Sequence, residues 1–429
     1  MKILTKFRNY IITPFAKINL TMQSNLNYIK SLFKPDNVII DKSYNQPKKI
    51  LLLALFEKGE LRQDIVNLLK VAKQQDLFVV CVNTLKLKNP KEHDELFDCY
   101  IEKYNFGRDF GSYKTGFLYL FKKDYIAKCP RLILLNDSLF YSRKNLNNFI
   151  SSLSNTDIEV LGATENHEIE HHLGSFCLSL SNSILTKKKF IKYWKKFRRS
   201  DVRPKVIKYG EMKLSKTLKK CTSSPNQFQA LFDITWFTNV ISNDIKLIEH
   251  VSDFYRTSDF YRTSDFIDWN KASLRSVIQR LSDQYIHIDP GMSHIEGNID
   301  VNMNGSNANF VESIDGLIRH VSKAVKANDE EERVIRDRVR QELKNDLYEC
   351  FSFGSQIHQN AILLHYLGMP IVKLDGLYRG MFSPADIENI ANQLEEDEVT
   401  PFKRMLYSKP FGGNVLYGWK RAAFYRGLI

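Results

Sequence analysis

In the stretch ENHEIEHHLGS (165–175), His167, Glu168 and His171 spell H-E-x-x-H. On a helix this spacing puts two imidazoles on one face with a carboxylate beside them, the arrangement by which zinc hydrolases hold a metal and activate water. Such a helix needs length and a third ligand downstream. No His or acid follows between His172 and Asp201, and Gly174 interrupts the segment. HEIEHH therefore reads as a loop or short helix ended by Gly174 rather than as a zincin helix.

A second group of residues offers different chemistry. NFGRDFGSYKTG (105–116) carries glycines at 107, 111 and 116 around a polar turn ahead of a helix. Such a turn lets backbone approach a ligand, and a helix N-terminus favours an anion such as a diphosphate. RLILLNDSLF (131–140) then places Asn136-Asp137-Ser138 at the carboxyl end of an apolar strand, where open α/β sheets bind ligands. A carboxylate there can hold a divalent cation against a diphosphate. Taken singly, the two segments are also ordinary as a Gly-rich turn and an Asx-turn.

The elements that must position these residues are visible in the hydrophobic pattern. ILLLALF (50–56) is a continuous apolar run, as in a buried parallel strand. Leu61, Ile65, Leu68, Leu69 and Ala72 follow at helical spacing, and LFVVCVNT (77–84) is a second strand. This β-α-β opening predicts an α/β fold with a mostly parallel sheet flanked by helices. Tyr113, Phe117, Leu120 and Phe121 mark another helix; LILL (132–135), IEVLGA (158–163) and SFCLSLS (175–181) further strands; and Phe190, Trp194 and Phe197 one helical face. The expected organisation is a basic arm (1–48), irregular or helical, an α/β domain (49–290) closing near YIHID (285–289), a polar linker (291–328) and a helical C-terminal region (329–429). There 329–347 reads as a solvated helix, and HQNAILLHYLGMPIVKL (358–374) as helix, turn and strand. SDFYRT at 252–257 recurs at 258–263, too short a repeat for a solenoid, and reads as a duplicated surface loop.

Composition sets the class. With 429 residues and 43% hydrophobic content the chain is globular and long enough for two or three domains. Six cysteines lie scattered without a C-x-x-C pair, as in free thiols of a reducing compartment. Neither a membrane-spanning run nor a cleaved leader is visible: the longest apolar run is 50–56, and Pro14, Lys17 and Asn19 break the apolar part of the basic start. The net charge of +13 suits nucleic acid, an anionic membrane surface or a phosphorylated substrate. Without a zinc finger, RNP motif or heptad array, nucleic acid is not the expected partner.

NFGRDFGSYKTGF (105–117), LILLNDSLFYS (132–142), LGATENHEIEHHLGSFCLSL (161–180) with Phe190 and Trp194, YGEMKLSKTL (209–218) and NAILLHYLGMPIVKLDGLYR (360–379) together resemble the rhamnan synthesis F family of bacterial polysaccharide glycosyltransferases, and more loosely the nucleotide-sugar-dependent GT-A superfamily. The resemblance implies a GT-A-like domain that moves a sugar from a nucleotide diphosphate to a growing surface glycan of rhamnan, O-antigen or capsule type. It assigns Asn105, Gly107, Arg108, Asp109, Gly111, Lys114, Asn136, Asp137 and Ser138 to the donor. Asp137 becomes the metal- or diphosphate-contacting acid and Glu211 the base that deprotonates the acceptor hydroxyl, although a helix-start acid is the plain alternative for Glu211. Thr164, Glu165 and His172 would line the acceptor side, with polar loop residues making no contact as the plain alternative. The implied cation is Mg2+ or Mn2+, but the turn is N-D-S rather than D-x-D and supplies one of the usual carboxylates. The implied acceptor is lipid-linked or an oligosaccharide. Eight basic residues in KKKFIKYWKKFRR (187–199) and the basic-aromatic WKRAAFYRGLI (419–429) then place the enzyme in the cytoplasm, peripheral at the inner face of the bacterial plasma membrane. The rival readings are an H-E-x-x-H zinc peptidase and a non-catalytic glycan-assembly scaffold.

Overall fold

The computed structural model describes residues 12–242, 318–319, 322–323, 326–352 and 354–429. The SDFYRT repeat, YIHID and most of the expected linker lie outside the described residues. The chain divides into two compact units, 1–233 with 354–429, and 234–353. This differs from the expected boundaries. The region expected to stand alone from 329 is split, because Ile371–Lys373 pairs with Leu139–Tyr141 of the first unit and the Glu398 carboxylate accepts the Arg143 N–H at 2.9 Å.

The first unit is built on an eight-stranded sheet with β2 (Ile50–Leu55), β3 (Phe78–Asn83), β4 (Cys99–Glu102) and β5 (Arg131–Asn136) parallel at its centre. Every residue of β2, β3, β4 and β5 is buried, which is why their sequences read as unbroken apolar runs rather than alternating ones. Beyond β5, β10 (Cys177–Ser181) runs antiparallel between β5 and β7 (Val160–Gly162), and β11 (Phe228–Ala230) closes that edge parallel to β7. At the other edge β1 (Asn37–Asp41) pairs antiparallel with β4. The fold is the expected mostly parallel sheet flanked by helices with a helical C-terminal region. The basic arm is more ordered than expected, contributing helix α1 (Thr13–Leu32) as well as β1.

Helix α2 (Gln63–Gln74) links β2 to β3, α3 (Arg108–Lys122) links β4 to β5, and α4 (Leu146–Ser154) follows β6 (Leu139–Tyr141). Helix α3 lies close on the sheet because Gly116 faces β2. A Cβ there would stand 2.3 Å from Leu52 Cδ1. Its other side packs on α5 (Lys188–Lys196), where the Phe117 and Trp194 rings stack at 4.6 Å. Phe190, Trp194 and Phe197 are buried as their spacing predicts, and Lys187, Lys188, Lys189, Lys192, Lys195 and Lys196 are exposed. Gly116→Ala should therefore destabilise the unit by about 1–3 kcal/mol through overpacking, read as a lower denaturant midpoint at constant slope. An unchanged midpoint would show that Leu52 makes room.

Three further elements complete this unit around the site: β12 (Ile371–Lys373), antiparallel to β6; the hairpin of β8 (Glu165–Asn166) and β9 (His172–Leu173); and α6 (Lys213–Lys219). In the second unit α7 (Ile234–Ser242) packs on α8 (Asp329–Ser352) through the stacked rings of Phe237 and Phe351, 4.2 Å apart. Ile335, Val339, Leu347 and Phe351 of α8 are buried, so this helix is less solvated than its charge suggests. The C-terminal part of the first unit adds α9 (Ala361–Tyr366), α10 (Pro384–Ala391), α11 (Glu396–Tyr407) and α12 (Gly418–Tyr425).

Candidate functional site

The polar residues gather at the carboxyl ends of the parallel strands. After β4 the chain turns through Gly107 and Arg108, at φ 94° and 52°. Asp201 holds this turn by accepting the Gly107 N–H at 2.8 Å. Helix α3 begins at Arg108, so Gly111 and Gly116 are inside the helix and not in the expected ligand-facing turn. A Cβ at Gly111 would meet the Phe106 carbonyl oxygen at 2.5 Å. That glycine answers a packing need, and of the three glycines only Gly107 has a left-handed backbone. Lys114 is also turned away: its ammonium donates to the Phe197 carbonyl at 2.6 Å and the Lys195 carbonyl at 3.2 Å, closing the end of α5. Asn105 and Arg108 are exposed.

Asp109, in the first turn of α3, joins the turn after β5. Asn136 Nδ2 donates to Asp109 Oδ2 at 2.8 Å, Ser138 Oγ donates to Asn136 Oδ1 at 2.6 Å, and Lys373 Nζ of β12 donates to Ser138 Oγ at 2.6 Å. Burial raises the Asp109 carboxyl above its ordinary range, with Lys373 and Arg108 pulling it down and Asp375 pushing it up. Asp375 accepts from His358 Nε2 at 3.1 Å and from Arg379 Nε at 2.7 Å. Burial opposes its charge, but His358, Lys373 and Arg379 together hold it well below the usual carboxylate range. Arg203 faces the same charges. Burial and the neighbouring Arg379 lower its pKa against the pull of Asp375 and Glu211.

Asp137 sits differently from its expected role. Its Oδ2 accepts the Phe56 N–H, and Arg62 donates to its backbone carbonyl at 2.8 Å. Arg62 also pairs with Asp64 at 2.9 Å and Glu57 at 3.4 Å. Burial raises the Asp137 carboxyl to about 7, with Arg62 opposing and Asp109 and Glu57 adding to the rise. The carboxylate is engaged by the Phe56 N–H, with the Arg62 guanidinium close by. These contacts brace the ends of β2 and β5.

Glu211 is carried by a π-helical turn, Ile207–Met212, just ahead of α6. Gly210 presses this turn onto Phe110, with a notional Cβ 3.1 Å from the ring, and the Tyr193 hydroxyl donates to the Gly210 carbonyl at 3.1 Å. Turns of this kind recur at functional sites. The Glu211 side chain is 31% exposed, and its Oε2 lies 3.9 Å from Nε2 of the buried His172. Burial raises its pKa against His172, Lys373 and Arg203, while Asp109 reinforces the rise. The proposed base and part of the donor set therefore share one electrostatic neighbourhood.

HEIEHH is a loop, one of the two forms expected, and not a short helix: residues 167–171 join β8 to β9 at the tip of their hairpin. Asn166 Oδ1 accepts the Glu168 N–H at 2.9 Å, an Asx-turn that reverses the chain. Glu168, the acid of the motif, is exposed, and the carboxylate that meets the two imidazoles is that of Glu165. Thr164 is buried, its carbonyl accepting the Gly174 N–H at 3.0 Å. Glu165 turns to His167 and His171 instead of to Glu211. Of the three acceptor-side residues, only His172 reaches Glu211. Lys373, Asp375, Arg379, His358 and Arg203 were not singled out from the sequence; the signal for the first three was the segment 360–379, which contains them.

Residues 77–257 match the profile of the family described as Rhamnan synthesis protein F, so the resemblance read from the motifs holds over that span. A protein of Sinorhizobium fredii (strain NBRC 101917 / NGR234) bearing the name Uncharacterized protein y4gN is 26% identical over 214 residues. The match covers 48% of this chain and 54% of the relative, so the chain spans about half the length of the curated relative it matches. Among solved structures, the glycosyltransferase GlyE of Streptococcus pneumoniae TIGR4 is similar at 10% identity over 46% of this chain and 50% of that one, with a TM-score of 0.25. Its apo form gives a TM-score of 0.23 at the same identity and coverage. Likeness at that level carries no argument about the site.

Proposed function

We propose, from the match of residues 77–257 to the rhamnan synthesis F family, that this chain is a nucleotide-sugar-dependent glycosyltransferase of GT-A type acting on a bacterial surface glycan. One observation carries the reading: the matched span holds Asp109, Asn136, Ser138, His172, Arg203 and Glu211, and the fold gathers them at the carboxyl ends of the parallel strands, with Lys373 beside Ser138. Lys373, Arg203, Arg379 and Arg108 supply positive charge in the neighbourhood of Asp109, Asp375 and Glu211. Fixed cations of this kind stabilise a leaving diphosphate without reorganisation, since they are already in place when the anomeric bond breaks. Glu211 takes the proton of the acceptor hydroxyl as the new bond forms, and His172 positions it.

The test is a thermal-shift screen of the full chain against nucleoside-diphosphate sugars, followed by transfer assays with the donor that binds. A donor at about 100 times its Kd stabilises by about 2.7 kcal/mol. The expected result is one donor that raises Tm in the parent chain and fails to do so in Lys373→Met. If no nucleotide-sugar raises Tm and none is turned over, the proposal falls and the scaffold reading replaces it.

The same reading places the enzyme on an anionic inner-leaflet surface, where a lipid-linked acceptor would be met. Helix α1 supports this. Its Ala16, Ser24 and Ser31 are buried, and Asn27 donates to Asp201 at 3.1 Å. Phe15, Ile18, Met22, Leu26, Ile29 and Phe33 form the opposite stripe, each more than half exposed. No helix among the described residues is long and apolar enough to cross a membrane, so this stripe fits a helix lying in the interface plane. Helix α1 packs against α12 through Ala16 and Ala423 and bonds to Ser200 through Ser24. The segments 12–35, 187–200 and 408–429 contain basic residues and no Asp or Glu. A second copy docked on the stripe would bring like charges together, whereas an anionic bilayer complements them at about 1 kcal/mol per Lys or Arg. The chain should co-sediment with phosphatidylglycerol-containing vesicles at low salt and much less at 1 M, where the Debye length is about 3 Å. Met22→Glu with Leu26→Glu should abolish the residual high-salt binding. Equal binding to neutral vesicles, binding unchanged by the double substitution, or dimerisation through the stripe would overturn the placement.

A further inference from the structure

The H-E-x-x-H stretch does bring ligands together, though not the set its sequence suggests. Because the hairpin folds back at Asn166, the carboxylate that meets the two imidazoles is that of Glu165, on the rising strand. His171 Nε2 stands 2.9 Å from Glu165 Oε1, and His167 Nε2 stands 3.5 Å from Glu165 Oε2. The three ligand atoms all lie within 4.8 Å of one another, the only such grouping of three among the described residues. The two imidazole rings are stacked, centroids 4.9 Å apart and 21° from parallel. Their side chains are each 35% exposed and that of Glu165 15%, so the group opens to solvent on one side.

We propose that Glu165, His167 and His171 form a binding site for a divalent transition ion of the zinc type, with solvent as the fourth ligand. Zinc takes His nitrogen at about 2.0–2.1 Å and carboxylate oxygen at about 2.0–2.2 Å. Tetrahedral ligation at those lengths sets ligand atoms about 3.4 Å apart. The two imidazoles face different oxygens of Glu165, at 3.5 and 2.9 Å, so ligation through one oxygen needs the carboxylate to turn that oxygen toward both rings. Imidazole with one carboxylate selects zinc and its neighbours over Mg2+ and Ca2+, which prefer all-oxygen sets.

The surroundings are consistent with ligation by Nε2. His171 Nδ1 faces Lys219 Nζ at 3.0 Å, and the same ammonium donates to the His171 carbonyl at 2.8 Å. When Nε2 binds the ion the ring proton moves to Nδ1. Lys219, exposed at the end of α6, then releases the ring and keeps the carbonyl. The hairpin backbone is fixed independently, by the His167 N–H to the Gly354 carbonyl at 2.7 Å and by the Glu165 N–H to Gln356 Oε1 at 2.9 Å. The ladder between β8 and β9 is only two residue pairs long, Glu165 with Leu173 and Asn166 with His172. An ion held by Glu165 on one strand and His171 beside the other clips this short hairpin shut. The clip fixes the strand that presents His172 to Glu211. That last consequence rests on the glycosyltransferase reading; the ion binding does not.

The experiment uses the untagged full chain, stripped with a chelator that is then removed, and titrated with ZnCl2 against a chromophoric zinc competitor. Cobalt substitution and X-ray absorption report the ligand set. The expected result is one zinc per chain with nitrogen and oxygen ligands, a tetrahedral Co2+ spectrum, and affinity falling at least 100-fold in His171→Ala and in Glu165→Gln. His167→Asn and far-UV circular dichroism on each variant separate loss of ligation from loss of fold. Zinc should also raise Tm in the parent chain and leave that of His171→Ala unchanged. Sulfur ligation, affinity unaltered by all three substitutions, or no zinc retained against the competitor would overturn the site. None of these readouts uses a nucleotide-sugar, so the site and the proposed activity fail separately.

Discussion

If Glu211 is the base of the proposed transfer, Glu211→Gln should keep donor binding and lower turnover by about 10²–10⁴-fold, the usual range for loss of a positioned base. The substitution preserves shape and the π-helical turn, whose anchors are Gly210 on Phe110 and the Tyr193 hydroxyl rather than the carboxylate. A pH profile gives the finer test. A base acts when ionised, and burial lifts this carboxyl above its ordinary range of about 4.3 against the restraint of His172, Lys373 and Arg203. Turnover in the parent enzyme should therefore fall as pH drops through a midpoint above that range, and this acidic limb should be missing from the residual activity of the variant. Full turnover in Glu211→Gln would reduce the residue to an acid at a helix start.

Arg62→Ala should cost the first unit about 3–5 kcal/mol, the penalty for leaving buried charge without its partner. Arg62 has a side chain 21% exposed, between Asp64 at 3% and Glu57 at 9%. It also donates to the carbonyls of Asp137 and Leu139, at 2.8 and 2.7 Å. One guanidinium thus ties the ends of β2 and β5 to the start of α2. Its removal leaves the acids close together and two carbonyls short of a donor, so the denaturant midpoint of this unit should drop sharply. Arg62→Lys should recover only part of the loss, because an ammonium lacks the planar fork that serves several acceptors at once. A midpoint within experimental error of the parent would mean that the acids are rehydrated and the brace is dispensable.

How much of this was legible in the sequence follows from the range of the interactions. Strands β2, β3, β5 and β10 and helices α2, α3 and α5 are written in hydrophobic period, a local signal, and each lies where the pattern put it. The strand β1, NVIID, is short and only one of its residues is buried, so its pattern is faint. The Gly-rich segment was recognised as important, but the sequence alone could not separate glycines that admit a ligand from glycines that admit a neighbouring Leu52 or Phe106. The hairpin was hidden for another reason. H-E-x-x-H has helical spacing, yet a single Asn166 side chain overrides it by capping a reversal. Lys373 was invisible as a partner of Ser138 because nothing in one segment announces the other, 235 residues away.

That separation has a consequence for how the protein is made. All strands of the eight-stranded sheet except the edge strand β11 are contributed before residue 182, and domains emerge from synthesis in chain order. The strand that delivers Lys373 arrives only after the whole of 234–353 has been translated. During that interval β6 lacks its partner strand β12, and Ser138 lacks Lys373. At about 5–20 residues per second the wait lasts on the order of ten seconds, long compared with the microseconds in which a hairpin closes. The nascent chain thus holds a folded sheet that is not yet competent for the proposed chemistry. A chain truncated inside 234–353 would leave the β6 edge unpaired, a species for the quality-control machinery to remove.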